Sequence, residues 1–274
     1  MAGYKQRARQ LKHDAFRDTT VGLFERLGDR LEGKGRTILY ALGAIVLFGL
    51  LLGAWSWWSQ RRDNQAQRAL GEAIRIAQAP VGAEAAAVTV GPKFSSKRER
   101  AERAVEAFQK VAAQYGNPYR DKARYLAAVT LLEMDRARGI SELEALAKGA
   151  SPDVAAWAKF ALAQARAANG ELDAALALYR ELASARDSAV PLDDVKLRMA
   201  EALIKQGKRQ EAVDLLFNLV ETARTRLDSE GKPTPDTATV RQAAELLQRL
   251  DQARYAKLPP EPAPNLSPLA NLPF

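Results

Sequence analysis

The sequence contains no cysteine and a single histidine, His13. Disulfide frameworks, thiolate metal sites and cysteine nucleophiles are therefore excluded, and so is any Ser-His-Asp or Cys-His relay outside the first segment. Aromatic residues are scarce, at 7%. Glycine-rich phosphate loops, His-Glu-x-x-His, a nucleophile elbow and paired carboxylates framed by apolar residues are all absent. Carboxylates instead recur beside Arg or Lys at helical spacing, as in Glu99/Arg103, Asp121/Arg124 and Glu201/Lys205. That pattern predicts a solvated, partly paired surface. No enzyme is expected, and no catalytic, cofactor-binding or metal-binding residue. What remains is 274 residues with 47% hydrophobic and 27% charged residues, enough for a folded protein. The formal net charge of +8 invites a nucleic-acid reading. The acids Asp14, Asp18, Glu25, Asp29 and Glu32 break up the basic N-terminal stretch, so no nucleic-acid partner is expected.

The apolar residues are unevenly distributed. Residues 38–58 read ILYALGAIVLFGLLLGAWSWW, 21 positions without a charge. At about 1.5 Å per residue such a helix spans ~30 Å, the thickness of a bilayer's hydrocarbon core. Trp55, Trp57 and Trp58 lie at one end and Tyr40 at the other, where aromatic rings anchor at the two interfaces. A cleaved signal peptide is disfavoured by the 37 residues ahead of the run and the lack of a small-residue cleavage pattern after it. Residues 1–37 carry nine Lys/Arg against five Asp/Glu, whereas Arg61, Arg62 and Arg68 follow the run. The positive-inside rule predicts a cytoplasmic N-terminus and an exported C-terminal portion, and half of the net charge lies in that tail. Gly49 and Gly53 form a Gly-x-x-x-Gly pair suited to close packing by another membrane helix, although glycine is frequent in spans without that role. Within residues 20–32, Val21, Phe24, Leu27 and Leu31 share a helical face, which predicts a short amphipathic helix on the membrane surface or, alternatively, a polar tail.

After the run, Ala, Leu, Glu, Arg and Lys dominate and no alternating strand pattern appears, so the rest reads as helix. Residues 60–78 continue the first helix, and residues 80–96 form a loop bracketed by Pro and Gly. Residues 97–115 read as the second helix of a pair whose first is that continuation, further pairs follow at 121–138 with 140–148, at 153–186 and at 193–224, and a last helix at 239–255 covers the open end. Ala163, Gly170 and Ala175 recur 37 residues later as Ala200, Gly207 and Ala212. With Leu172, Tyr179 and Leu216 in bulky places, this resembles the tetratricopeptide repeat, whose hairpins press together at small residues. The chain departs from that pattern: the closing proline is missing, Arg166 stands where tyrosine is common, and Leu182 and Leu219 replace small residues. Residues 258–274 hold six prolines and are expected to be an extended tail or docking peptide.

The resemblance implies a concave surface lined by each hairpin's first helix. Its groove-facing positions here would be Tyr125, Trp157, Phe160, Gln164, Leu197, Glu201 and Ile204. Packing between hairpins is the alternative role for Trp157 and Phe160. The expected fold is all-α: a single N-terminal transmembrane helix followed by a tetratricopeptide-like helical-hairpin solenoid. Its parts would be a basic tail 1–37, the span 38–58, repeats 59–257 and the Pro-rich tail 258–274. This layout is similar to the YfgM-like family, the ancillary subunit of the SecYEG translocon. That resemblance implies a single-pass inner-membrane protein whose periplasmic repeats pass exported proteins from SecYEG to periplasmic chaperones. A scaffold for another envelope complex and a repeat domain kept in the cytoplasm are the alternatives. Protein partners are expected, and no small-molecule substrate.

Overall fold

The computed structural model describes residues 35–82 and 91–262, leaving out the side chains of residues 35–39, 41 and 42. The expected amphipathic helix at 20–32, residues 83–90 of the loop and residues 263–274 of the Pro-rich tail lie outside the described residues. Described in chain order are helices α1 (Gly35–Ala77), α2 (Lys97–Gln114), α3 (Tyr119–Leu131), α4 (Arg136–Gly149), α5 (Pro152–Ala168), α6 (Leu172–Ser184), α7 (Leu192–Lys205), α8 (Arg209–Arg224), α9 (Ala238–Leu250) and α10 (Gln252–Tyr255). Among the described residues the only β pairing is two isolated bridges, Val81 with Phe94 and Leu227 with Pro233. The chain divides into two compact units, residues 1–65 and 66–274, and α1 contributes to both.

In the first unit, the α1 side chains described in the apolar run stand in the open: Ile45, Leu47, Phe48 and Leu50 are each more than half exposed. Among the described residues no helix is long and apolar enough to cross a membrane. The side chains of Ile38, Leu39, Ala41 and Leu42, four residues of the run, are outside them. A Cβ built on Gly43, Gly49 or Gly53 meets nothing within 4 Å.

The second unit builds its core from small residues at helix crossings. The end of α1 supplies Ala73, which packs with Ala104, Phe108, Ala123 and Ala127 of α2 and α3. Ser96 caps α2 by accepting the Glu99 N–H at 3.1 Å. The Glu99 carboxylate reaches back to the Ser95 hydroxyl and N–H, and those two bonds hold its pKa below the usual range.

The 37-residue repeat is visible in the backbone. Asn169 and Gln206, which end α5 and α7, share φ −81° and ψ −3°. Gly170 and Gly207 follow at φ +84° and +81°. The next amides, of Glu171 and Lys208, each donate 2.9 Å to the carbonyls of Arg166 and Leu203. This is a left-handed helix stop that glycine adopts without strain. Ala163, Ala175, Ala200 and Ala212 are fully buried where the paired helices touch, and Tyr179 and Leu216 fill the space beside them.

The α3/α4 hairpin differs from its expected boundaries. The first helix stops at Leu131 and the second starts at Arg136, because the Asp135 carboxylate accepts the Arg138 N–H at 3.1 Å and caps α4. Gly139 occupies the fourth place of α4, as Ala175 and Ala212 do in α6 and α8. A Cβ there would lie 2.8 Å from the Leu132 nitrogen and 3.0 Å from the Ala128 oxygen, so this crossing is closer than the alanine ones. Asp121 also departs from expectation. It is buried rather than solvated, and Arg124 pairs with Glu142 instead. Burial pushes the Asp121 carboxyl up, but the Ser151 N–H at 3.0 Å and the Arg120 guanidinium at 3.2 Å outweigh it and hold its pKa below the ordinary value. Asp121 thus ties the start of α3 to the start of α5.

Alternate helices touch in series, α3 with α5, α5 with α7 and α7 with α9, while each also packs on its sequence neighbours. Hairpins therefore stack, as a solenoid requires. At one corner of each step, a residue in the first turn of a second helix bonds the end of the next first helix. Arg136 donates to the Asn169 side chain at 2.8 Å, Asp173 accepts from Gln206 at 2.6 Å, and Arg209 donates to the Leu250 carbonyl. The strongly amphipathic α9 closes the stack by burying Val240, Ala243, Ala244 and Leu247. Beyond α8, the buried pair of Arg224 and Asp236, 3.0 Å apart, holds the α8–α9 loop, and Arg224 also donates 2.8 Å to the Pro259 carbonyl.

Candidate functional site

A concavity of about 540 Å³ in the second unit lies between the second helices of two successive hairpins. Helices α4 and α6 form its walls and α5 its floor. Ala147, Leu162, Ala174, Ala177 and Leu178 line it with apolar surface. Charges rim it in pairs, Arg166 with Glu144 and with Glu171 at 3.0 Å, and Lys159 with Glu181. Arg166, at the place where the repeat pattern has tyrosine, thus joins two hairpins. A smaller trough of about 330 Å³ repeats the arrangement one hairpin earlier, with α2 and α4 as walls and Ala127, Ala128 and Leu131 of α3 as floor. Small residues on the exposed sides of the second helices leave these spaces unfilled.

The sequence-predicted groove residues are distributed differently. Leu197 and Phe160 are core side chains, since each first helix is packed on several sides and its apolar positions turn inward. Trp157 is half-buried against that core and meets Phe160 edge-on at 6.1 Å, and Phe160 meets Tyr179 at 6.0 Å. Tyr179 is buried enough that its hydroxyl pKa is pushed well up, and burial raises Tyr125 as well. Tyr125 belongs to a different cluster, beside Leu143 and Ala158. Gln164 is exposed and Ile204 half-buried. Glu201 accepts from Arg198 at 2.8 and 3.0 Å and from Gln242 at 3.4 Å, and Asp194 accepts from Thr239 at 2.5 Å. These polar groups of α7 are thereby occupied by α7 itself and by α9. Trp157 and Phe160 come together as packing, while Tyr125 packs on a separate cluster.

The trough residues went unread in the sequence, although one signal was present. Helix α6, LDAALALYRELAS, carries Ala174, Ala177 and Leu178 in addition to its core positions Ala175, Leu176 and Tyr179. That is more apolar surface than one packed face needs. In the first unit, Gly49 and Gly53 are uncovered, and Tyr40, Trp55, Trp57 and Trp58 are exposed rings. Among the described residues no group of Asp, Glu or His is placed to hold a metal ion.

These features define a tetratricopeptide-like stack of helical hairpins, a class set here by the turn geometry and the serial contacts of alternate helices. No protein-family description matches the chain, and no curated protein matches it. Among solved structures it is similar to a putative kinesin light chain from Podosopora anserina with nearly identical TPR-like repeats, and to a single-substitution variant of that protein. Both are 20% identical, cover 58% of this chain and 81% of theirs, and have a TM-score of 0.45.

Proposed function

We propose that this chain is a protein-binding scaffold held at a membrane by a single span, residues 38–58. The trough between α4 and α6 carries the binding half of this reading: its apolar walls and charged rim suit an apolar protein segment better than a polar small molecule. The span rests on 21 uncharged positions with Trp and Tyr at their ends, and on exposed leucines that water would disfavour. With more basic residues before the span than after it, the N-terminus lies in the cytoplasm and the repeats lie across the inner membrane, in the periplasm. The resemblance to the YfgM-like layout makes the SecYEG translocon the membrane partner and exported proteins the clients passed on to periplasmic chaperones. Tethering raises the effective concentration of the repeats at the channel exit, so weak contacts suffice.

A photo-crosslinking residue at Ala177, exposed in the trough, tests the site and the partner together. In the intact, membrane-resident protein it is expected to capture translocon subunits or exported chains. Adducts with a different envelope complex alone would favour a general envelope scaffold. Adducts from Gln164 and none from Ala177 would move the site to the first-helix face.

A further inference from the structure

The geometry points to an anionic-phospholipid site at the end of the apolar run, formed by Trp57 with Arg61 and Trp58 with Arg62; this rests on the proposed span. The guanidinium of Arg61 sits 5.4 Å from the Trp57 ring centroid and that of Arg62 sits 5.0 Å from Trp58. Both pairs have i,i+4 spacing, so the backbone of each arginine lies about one turn, ~6 Å, beyond that of its tryptophan along the helix, on the side away from the apolar run. With the indoles at the edge of the hydrocarbon, that step puts the cations at the depth of lipid phosphates.

Three arginines among the described residues stack on an aromatic ring, and of these Arg254, over Phe217, also pairs with Asp214 at 3.0 Å, whereas Arg61 and Arg62 have no carboxylate within ion-pair distance among the described residues. Stacking covers one face of each guanidinium and orients it, and the N–H edge stays free. A planar fork of donors without a counter-charge matches the two non-bridging oxygens of a phosphodiester. The side chains are about 100° apart around the helix, so the two forks flank one arc of surface, wide enough for adjacent headgroups. Two uncompensated charges favour a lipid with net negative charge over a zwitterionic one, whose own ammonium supplies the counter-ion.

The test uses the full chain carrying Trp157→Phe, so that only Trp55, Trp57 and Trp58 fluoresce. It is reconstituted in phosphatidylcholine vesicles with a minor fraction of phosphatidylglycerol. Bromine is placed on the acyl chains of one lipid or the other at equal mole fraction. Brominated phosphatidylglycerol is expected to quench about twofold more than brominated phosphatidylcholine at that fraction. Arg61→Gln with Arg62→Gln should abolish the difference, and lysine at both positions should restore less than half of it. Equal quenching by the two lipids, a preference that survives the glutamines, or full retention with lysine would overturn the site while leaving the span intact. Loss of the preference in millimolar inorganic phosphate would make free phosphate the ligand and overturn the lipid assignment. No quenching by either lipid would overturn the span and the lipid site with it.

Discussion

Leu47, Leu50 and Leu51 of α1 are more than half exposed, whereas Leu176, Leu203, Leu216 and Leu219 of the hairpins are all but inaccessible. Both regions are helical and both are rich in leucine and alanine, so neither composition nor propensity separates them. The separating property is where the polar residues fall. In the hairpin unit charged residues mark the outer side of a helix, as in α9, where Arg241, Glu245 and Arg249 are exposed and Val240, Ala243, Ala244 and Leu247 are buried. Through residues 38–58 no charged residue marks an outer side. Such a helix has no polar side to set against an apolar one, so its sequence singles out no face for a neighbouring helix to cover.

The same truncation made in both regions gives the widest contrast. Leu216→Ala removes a fully buried side chain and is expected to destabilise the repeats by about 2–5 kcal/mol, a loss read by denaturant or thermal unfolding. Leu47→Ala should change that unfolding by less than ~0.5 kcal/mol, and a loss comparable to Leu216→Ala would mean that α1 is covered by protein. Glycine sharpens the comparison at a smaller scale. Gly139→Ala drives a Cβ into backbone atoms at 2.8 and 3.0 Å and should cost about 1–3 kcal/mol, whereas Gly49→Ala meets open space and should leave stability unchanged or raise helicity. A neutral Gly139→Ala would show that α3 and α4 can separate freely. Next in size are the two repeated turns: Gly170→Ala and Gly207→Ala each force φ above +80° on a Cβ and should cost about 1–2 kcal/mol, similar to one another because the turns are similar.

A further loss, smaller than those of the buried leucine and the glycines of the hairpins, depends on pH. Asp121 has a folded-state pKa below its ordinary value of 3.8, so the unfolded state takes up the proton first as pH falls. Its stabilisation is therefore complete above that value and is lost as pH drops through the folded-state pKa. Asp121→Asn should cost about 1 kcal/mol at neutral pH, with the difference from the parent shrinking in acid. A difference that persists undiminished well below pH 3.8 would assign the effect to packing instead.

The hairpins at 152–224 were legible because their chemistry is narrow. A left-handed turn calls for glycine and a close crossing calls for alanine, so the same marks return 37 residues later as Ala200, Gly207 and Ala212. The α3/α4 hairpin hid its boundary because its turn lacks glycine and is set by the Asp135 cap, and the glycine that follows, Gly139, serves a crossing. Asp121 was misread for a related reason: its partner is a backbone amide 30 residues away, which no local spacing reveals. The groove was only partly legible, since periodicity on a helix with neighbours on several sides does not separate a surface position such as Gln164 from a core one such as Leu197. The trough needs two helices from different hairpins to exist at all, so no single segment announces it.

The corner bonds of Arg136, Asp173 and Arg209 lie at the same place in successive hairpins. A stack joined edge to edge in this way resembles a seam with one stitch per step. Pulled from the α9 end, it should part hairpin by hairpin, giving a staircase of small force drops in place of one cooperative rupture.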